Sequence, residues 1–297
     1  MSKLKTGYIA VVGRPNVGKS TLLNRILGEK LSITSRKPQT TRHRVLGIKT
    51  QDNVQFVYVD TPGLHEKLPR KINKYMNKAA ISAIFDVDLI LFVVDSLHFN
   101  EGDEWVVKQL EKAESPVILV INKLDEITDK DALLPHVAKL NEQYGFSHVL
   151  PVSAKSGQGV DKLEALITEM LPETEAFFFP ADAKTDRDDR FMASEIIREK
   201  LIRALGQELP YETHVVIERM QKQDKITHID AIIFVARDSQ KAIIIGQKGE
   251  RLKAIGSRAR LDLEKLLNTK IMLKLWVKVK DKWSDTDRLL QKFGYDK

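Results

Sequence analysis

Through residue 171, short and continuously apolar runs alternate with stretches whose apolar residues recur at helical spacing. The runs are Tyr8–Val12, Phe56–Val59, Leu89–Val94, Val117–Ile121 and Val149–Val152. A strand covered on both faces reads as an unbroken apolar run rather than an alternation. The pattern predicts an α/β domain over residues 1–172, with a doubly wound, mostly parallel sheet.

The pattern then changes twice. Residues 172–189, PETEAFFFPADAKTDRDD, are acidic and aromatic with two prolines. They predict a linker over residues 173–190, with Phe177–Phe179 packed against one of the domains or, alternatively, forming a core strand. From 191 to 297 the spacing predicts a smaller α+β domain. Phe191, Met192, Ile196, Ile197, Leu201 and Leu205 mark a helix. Strands are expected near His214–Met220 and His228–Ala236, a helix over about Glu250 to Leu267, and a last helix near Ser284–Phe293. Between those two helices Ile271–Lys280 alternates with period two. Ile271, Leu273, Leu275, Val277 and Val279 face one way, and Met272, Lys274, Trp276, Lys278 and Lys280 the other. That second face suits nucleic acid, or else Trp276 packs under the final helix.

Chemistry-bearing residues fall at the ends of the predicted strands. GRPNVGKS at 13–20, PQTTR at 38–42, DTPG at 60–63, NKLD at 122–125 and SAK at 153–155 occur in one order. In open α/β sheets ligands bind at the carboxyl edge, which is where four of these motifs sit. In the first, Gly13 and Gly18 let backbone approach a phosphate, and the amides around Asn16, Val17 and Thr21 open a helix N-terminus towards it. Lys19 reaches the β- and γ-phosphates, while Ser20, Thr41 and Asp60 are the candidate Mg²⁺ set. The amide of Gly63 can sense a γ-phosphate. The polar segment 32–44 is the candidate switch, able to order around that phosphate and release afterwards. Asp125, in the run Asn122, Lys123, Leu124, Asp125, can accept from N1–H and the N2 amine of guanine. Adenine would leave that carboxylate unpaired. A backbone amide of Ser153-Ala154-Lys155, near Ala154, is the candidate donor to guanine O6.

In the second domain Gly246, Gln247, Lys248 and Gly249 form a GXXG loop after an apolar lead-in and before a helix. KH domains clamp a nucleic-acid backbone with such a loop. Arg251 and Lys253 on the following turn add candidate phosphate contacts.

Charge supports this division. Of the net +7, residues 181–297 hold +6, and residues 241–280 alone hold +8. Such a block attracts polyanions. The chain has no cysteine, which excludes disulfides, thiolate zinc sites and cysteine nucleophiles. It has neither an apolar run of membrane-spanning length nor a signal-peptide pattern, so a cytoplasmic address is expected.

The motif set resembles that of translation-factor-class GTPases of the Era family, and DRDDRFMASEIIREKLIR (186–203) and LWVKVKDKW (275–283) extend the likeness over nearly the whole chain. The resemblance implies a P-loop GTPase domain followed by a type II KH domain. It implies GTP/GDP and Mg²⁺ as cofactors, and 16S ribosomal RNA near its 3′ end, with the small ribosomal subunit, as partner. A monomer with peripheral contact to the inner membrane is the expected state. An RNA chaperone with a mainly structural nucleotide is the alternative. Leu64 stands where Ras-type enzymes place a water-orienting glutamine. Relatives with an apolar residue there use a monovalent cation, which makes Asn16 the candidate ligand for K⁺. Lys19, Thr41 and Asn16 are thus the expected catalytic groups.

Overall fold

The computed structural model of the chain describes residues 3–35, 37, 39–65, 70–96, 98–127, 133–206 and 209–295. Contacts divide it into two units, Met1–Pro69 with Met76–Asp186, and Arg70–Tyr75 with Arg187–Lys297.

The first unit is built on β1 (Leu4–Val12), α1 (Lys19–Leu27), β2 (Val45–Gln51), β3 (Val54–Asp60), α2 (Lys71–Phe85, of which Met76 onwards belongs to this unit), β4 (Leu89–Asp95), α3 (Glu101–Leu110), β5 (Val117–Asn122), α4 (Leu133–Tyr144), β6 (His148–Pro151), α5 (Val160–Met170) and β7 (Glu173–Thr174). The sheet path is β2-β3-β1-β4-β5-β6, with β7 pairing the start of β1. All neighbours along the path are parallel except β2 and β3. Alternate residues of each central strand serve opposite faces. Ile9 and Val11 join Leu22, Leu23, Leu163 and Ile167 under α1 and α5. Ala10 and Val12 join Ile84, Val106, Leu110 and Leu140 under α2, α3 and α4. This double coverage is why the strands read as unbroken apolar runs. β1 is flanked by β3 and β4, so the chain reverses its direction of winding there, and the crevice beyond β1 is the expected ligand site.

The five predicted strands are present, and two more join them. β2 follows a polar segment and its short apolar start is split by Gly47, so its pattern does not read as a continuous buried strand. It is antiparallel to β3 and packs on α1, where a Cβ on Gly47 would stand 2.8 Å from Leu27 Cδ1. Residues predicted as linker lie along the first unit up to Asp186. Glu173–Thr174 pairs with β1. Phe178 stacks on Tyr8 with ring centroids 5.3 Å apart, and Gln55 exchanges two hydrogen bonds with the backbone of Phe179. The amide of Ile48 donates to Lys184 O at 2.8 Å, and that of Leu46 to Asp186 Oδ1 at 2.9 Å. An edge strand left open would invite foreign pairing, and this strap covers part of it.

The second unit runs α6 (Asp189–Ala204), β8 (His214–Gln223), β9 (Ile226–Val235), α7 (Asp238–Ile245), α8 (Glu250–Leu267), β10 (Lys270–Val279) and α9 (Asp287–Lys292). The sheet order is β10-β9-β8, with β8 antiparallel and β10 parallel to the central β9. A parallel pair needs a crossover, which α7 and α8 supply. The apolar lead-in Ala242–Ile245 is therefore the end of a helix, which the sequence pattern alone did not mark. Three consecutive β-branched residues give it little helix propensity of its own. Gln240 decides the outcome, because its Oε1 accepts from the amides of Ala236 and Arg237 at 2.9 and 3.1 Å and so starts the helix. Ile271, Leu273, Leu275 and Val277 enter the core beneath the helices, as the alternation predicts. Trp276 does not pack under the last helix; it is 43% exposed. The tryptophan that fills that place is Trp283, fully buried against His214 and Phe293, with Nε1 donating to Glu212 O at 3.0 Å.

Candidate nucleotide site and nucleic-acid loop

β1 ends at Val12 and the chain enters the loop of residues 13–18 before α1. Gly18 has φ 100°, and a Cβ there would lie 2.2 Å from Asn122 Nδ2, so only glycine lets the two loops touch. Asn16 also has positive φ, at 66°. Its side chain is exposed and makes no hydrogen bond among the described residues. Lys19 is buried, with Nζ donating to Gly13 O at 3.0 Å and Arg14 O at 2.8 Å. Burial lowers its pKa to about 8, a shift that the nearby Asp60 carboxylate opposes. Arg14 is itself held by Asp103 at the start of α3, with Nε 2.7 Å from Oδ2, and donates to His98 O at 2.8 Å.

Asp60, at the end of β3, is fully buried and gathers three hydroxyls on one oxygen. Ser32 Oγ donates to Oδ2 at 2.7 Å and Ser20 Oγ at 3.2 Å, while Thr41 Oγ1 lies 3.5 Å away. Ser20 and Thr41 are 2.9 Å apart. The predicted metal set is therefore brought together. Oδ1 of Asp60 is buried with no hydrogen-bond partner among the described residues. Burial raises the pKa of Asp60, against the opposing effect of the three hydroxyls and Lys19. A buried anionic oxygen facing hydroxyl oxygens is the donor set of a hard divalent cation, so these residues fit Mg²⁺. Ser32 was not among the predicted site residues, and neither was Asn24, which fixes the start of segment 32–44. Asn24 Oδ1 accepts from the amides of Leu31 and Ser32 at 3.0 and 2.8 Å, and Nδ2 donates to Ser32 O at 2.7 Å. Of that segment, Arg36 and Pro38 lie outside the described residues. The DTPG turn reaches the loop after β1 through the Leu64 amide, which donates to Gly13 O at 3.2 Å; the Leu64 side chain is buried in the core.

Asn122 joins three loops. Nδ2 donates to Val17 O at 2.8 Å and Oδ1 accepts from the Ala154 amide at 2.9 Å. Lys123 pairs with Asp95 at 2.5 Å. Asp125 is exposed; Ser153 Oγ donates to its Oδ1 at 2.6 Å, and Lys155 Nζ lies 3.4 Å from Oδ2. The hydroxyl of Ser153, then Lys155, lowers the Asp125 pKa and keeps it ionised. The Ala154 amide is thus already engaged, whereas the Lys155 amide has no partner among the described residues. Arg25 of α1 donates to the carbonyls of Ala154 and Lys155 and so sets the height of this turn. Thr21 is exposed on the first turn of α1.

In the second unit the GXXG turn separates α7 from α8. Gly246 and Gly249 have φ 72° and 80°, and Lys248 has φ 50°. A Cβ on Gly246 would stand 2.7 Å from Arg251 Cβ, which explains the first glycine. Gln247, Lys248, Arg251 and Lys253 are exposed, and Arg251 Nη1 donates to Ile243 O at 2.6 Å. No helix among the described residues is long and apolar enough to cross a membrane.

A glycine loop at the switch point of a parallel sheet, an Asn-Lys-Leu-Asp turn at the end of β5 and a GXXG unit define a P-loop GTPase carrying a KH domain. Comparison with known proteins agrees. Residues 8–123 match the family described as 50S ribosome-binding GTPase, and residues 208–284 match the KH domain. The GTPase Era of Marinobacter nauticus is 53% identical over 290 residues, covering 98% of this chain and 95% of that protein. That of Pseudomonas aeruginosa is 54% identical over 291 residues, with 98% and 95% covered. An Aquifex aeolicus Era variant solved with GDP·AlF4⁻ superposes with a TM-score of 0.95 at 39% identity, covering 99% of this chain and 100% of that one. An Era solved with MgGDPNP and nucleotides 1506–1542 of 16S ribosomal RNA gives the same score, identity and coverage. The chain belongs to the Era family of GTPases.

The buried Lys19 has a measurable consequence. Its folded pKa of about 8 lies below the ordinary 10.5, so between these values the unfolded chain holds more protons than the folded one. Stability from this group therefore rises with pH across that window. Without nucleotide, the melting temperature of the wild type relative to Lys19→Met should climb from about pH 7 to about pH 10. A pH-independent difference would show that Lys19 is not desolvated.

Proposed function

We propose that this chain binds and hydrolyses GTP at the loop after β1. In this reading the bound nucleotide sets its affinity for 16S ribosomal RNA near the 3′ end, in small-subunit assembly and rRNA maturation. The observation that carries the reading is the convergence of Ser20, Thr41 and Asp60 with one buried carboxylate oxygen left open. These residues would hold Mg²⁺, which supplies positive charge to the β- and γ-phosphates.

The chain's own groups do the rest. Lys19 exchanges its two carbonyl partners for phosphate oxygens, and binding an anion restores the charge that burial disfavours. The amides of the loop and of the α1 N-terminus, around Val17, Gly18 and Thr21, face the phosphates. The Gly63 amide reads the γ-phosphate, and with Thr41 it ties the 32–44 segment to the nucleotide state. Asp125 accepts from N1–H and N2 of guanine. O6 takes the Lys155 amide rather than that of Ala154, which Asn122 occupies. Leu64 is buried and carries no polar atom to orient water, so charge on the transferring phosphate has to be met elsewhere. The free side-chain carbonyl of Asn16 is suited to a K⁺ ion beside the phosphates. Hydrolysis should then be several-fold faster in K⁺ than in Na⁺, with the difference abolished in Asn16→Ala. Equal rates in both salts would remove the cation from the account.

The RNA assignment rests on the whole-chain likeness. The description of the matched GTPase family names the 50S particle but covers residues 8–123 alone. The related complex that spans the KH unit as well contains 16S ribosomal RNA. Exposed Gln247 and Lys248 would clamp the RNA backbone, with Arg251 and Lys253 beside them. Peripheral attachment to the inner membrane would draw on the +8 of residues 241–280 against anionic lipid.

Affinity for a 16S 3′-end RNA should differ between the GDP and GDPNP forms, and a scrambled RNA should bind more weakly in both. Identical affinity in the two forms would leave the nucleotide a structural role.

A further inference from the structure

The KH unit has a second side. Helices α6, α7 and α8 cover one face of the sheet, where Ile271, Leu273, Leu275 and Val277 of β10 meet their apolar residues, whereas the end of α9 lies on the other face. The other face carries no helix over much of its width. One end of it is closed by an aromatic cluster in which Phe293 stacks on His214 and lies against Phe234. Beyond that cluster Met272 and Trp276 are 45% and 43% exposed. Lys274 and Lys278 stand on either side of Trp276 on the same face, and neither forms an ion pair among the described residues. Across the pairing, His228 lies opposite Met272. Asp230, opposite Lys274, is already neutralised by Arg219 at 2.8 Å. The result is an unpaired positive strip with an aromatic ring at its centre.

We propose that the open part of this face, centred on Trp276, is a second RNA surface, distinct from the GXXG clamp. A base stacks on the Trp276 ring while Lys274 and Lys278 hold the flanking phosphates. The proposal rests on the reading of the chain as an RNA binder.

Three features favour RNA as the occupant. Same-face side chains on a strand repeat every ~6.6 Å, so Lys-Trp-Lys places charge, ring and charge in a row along one line. Ring stacking with cationic flanks is how sequence-tolerant single-strand surfaces work. β10 is an edge strand, so a strand leaving the GXXG turn on the helical layer has an open edge to pass over. A KH clamp holds about four nucleotides. The RNA in the related complex runs from nucleotide 1506 to 1542, far more than one clamp accommodates. A lipid surface is the less suited occupant, because Trp276 and Met272 lie on a sheet, with Trp276 set opposite Ile232 and between two lysines, rather than on a protruding apolar tip.

The test uses the full chain with two RNAs at fixed nucleotide, one spanning 16S nucleotides 1506–1542 and one of about five nucleotides that fills only the clamp. Trp276→Leu should weaken the long RNA about tenfold and leave the short one unchanged. Lys274→Gln with Lys278→Gln should flatten the salt dependence of the long RNA by about 1.4 in log–log slope. Gln247→Asp with Lys248→Glu should weaken both RNAs. Unchanged binding of the long RNA, or equal losses for both RNAs, would overturn the second surface. So would variants that keep RNA but lose binding to phosphatidylglycerol–phosphatidylcholine vesicles. A wild-type chain that binds neither RNA would instead refute the RNA reading beneath it.

Discussion

The Asp60 carboxylate holds the nucleotide side of this molecule together. It sits at the end of a central strand with no exposure to solvent, where an isolated charge would cost several kcal/mol. Three hydroxyls from three separate stretches of chain offset that cost on one of its oxygens. Ser20 comes from α1, while Ser32 and Thr41 come from the two ends of the polar segment that follows. Their positions are therefore set by one anion, and anything that changes its charge acts on all three. A divalent cation held by this set would be such a change. In the proposed function, this would be the physical basis on which the segment responds to the nucleotide.

Asn122 plays the matching part where the loops after β1, β5 and β6 meet. Its amide group spends both ends on backbone, one on the phosphate loop and one on the Ser153–Lys155 turn. The two halves of the site are thus locked in register before any ligand arrives. Preorganisation of this kind lowers the ordering cost of binding. The close approach of Gly18 to Asn122 shows why the glycine and the asparagine belong to one device, although they lie more than a hundred residues apart.

Much of this was legible in the sequence because each part left a local signature. Buried parallel strands read as apolar runs, the phosphate loop by its glycines, and β10 by its period of two. What the sequence did not show depended on partners distant along the chain. β2 did not stand out because its apolar start is short and split by Gly47, and its burial comes from α1 and from the strap at 184–186. Ser32 and Asn24 are ordinary polar residues until Asp60 and the chain bend bring them inward. The engagement of the Ala154 amide follows from Asn122, and no spacing rule predicts it. The two tryptophans near the C-terminus look alike in sequence, and only packing separates buried Trp283 from exposed Trp276.

The most direct test of the account is the Mg²⁺ dependence of GDPNP binding in the wild type and in Asp60→Asn. Asparagine keeps the shape and one acceptor but removes the charge. Affinity in the wild type should rise steeply as Mg²⁺ is added, and in Asp60→Asn it should stay nearly flat. A variant that kept the full Mg²⁺ dependence would show that the ion is held elsewhere, and the central role assigned to this carboxylate would be wrong.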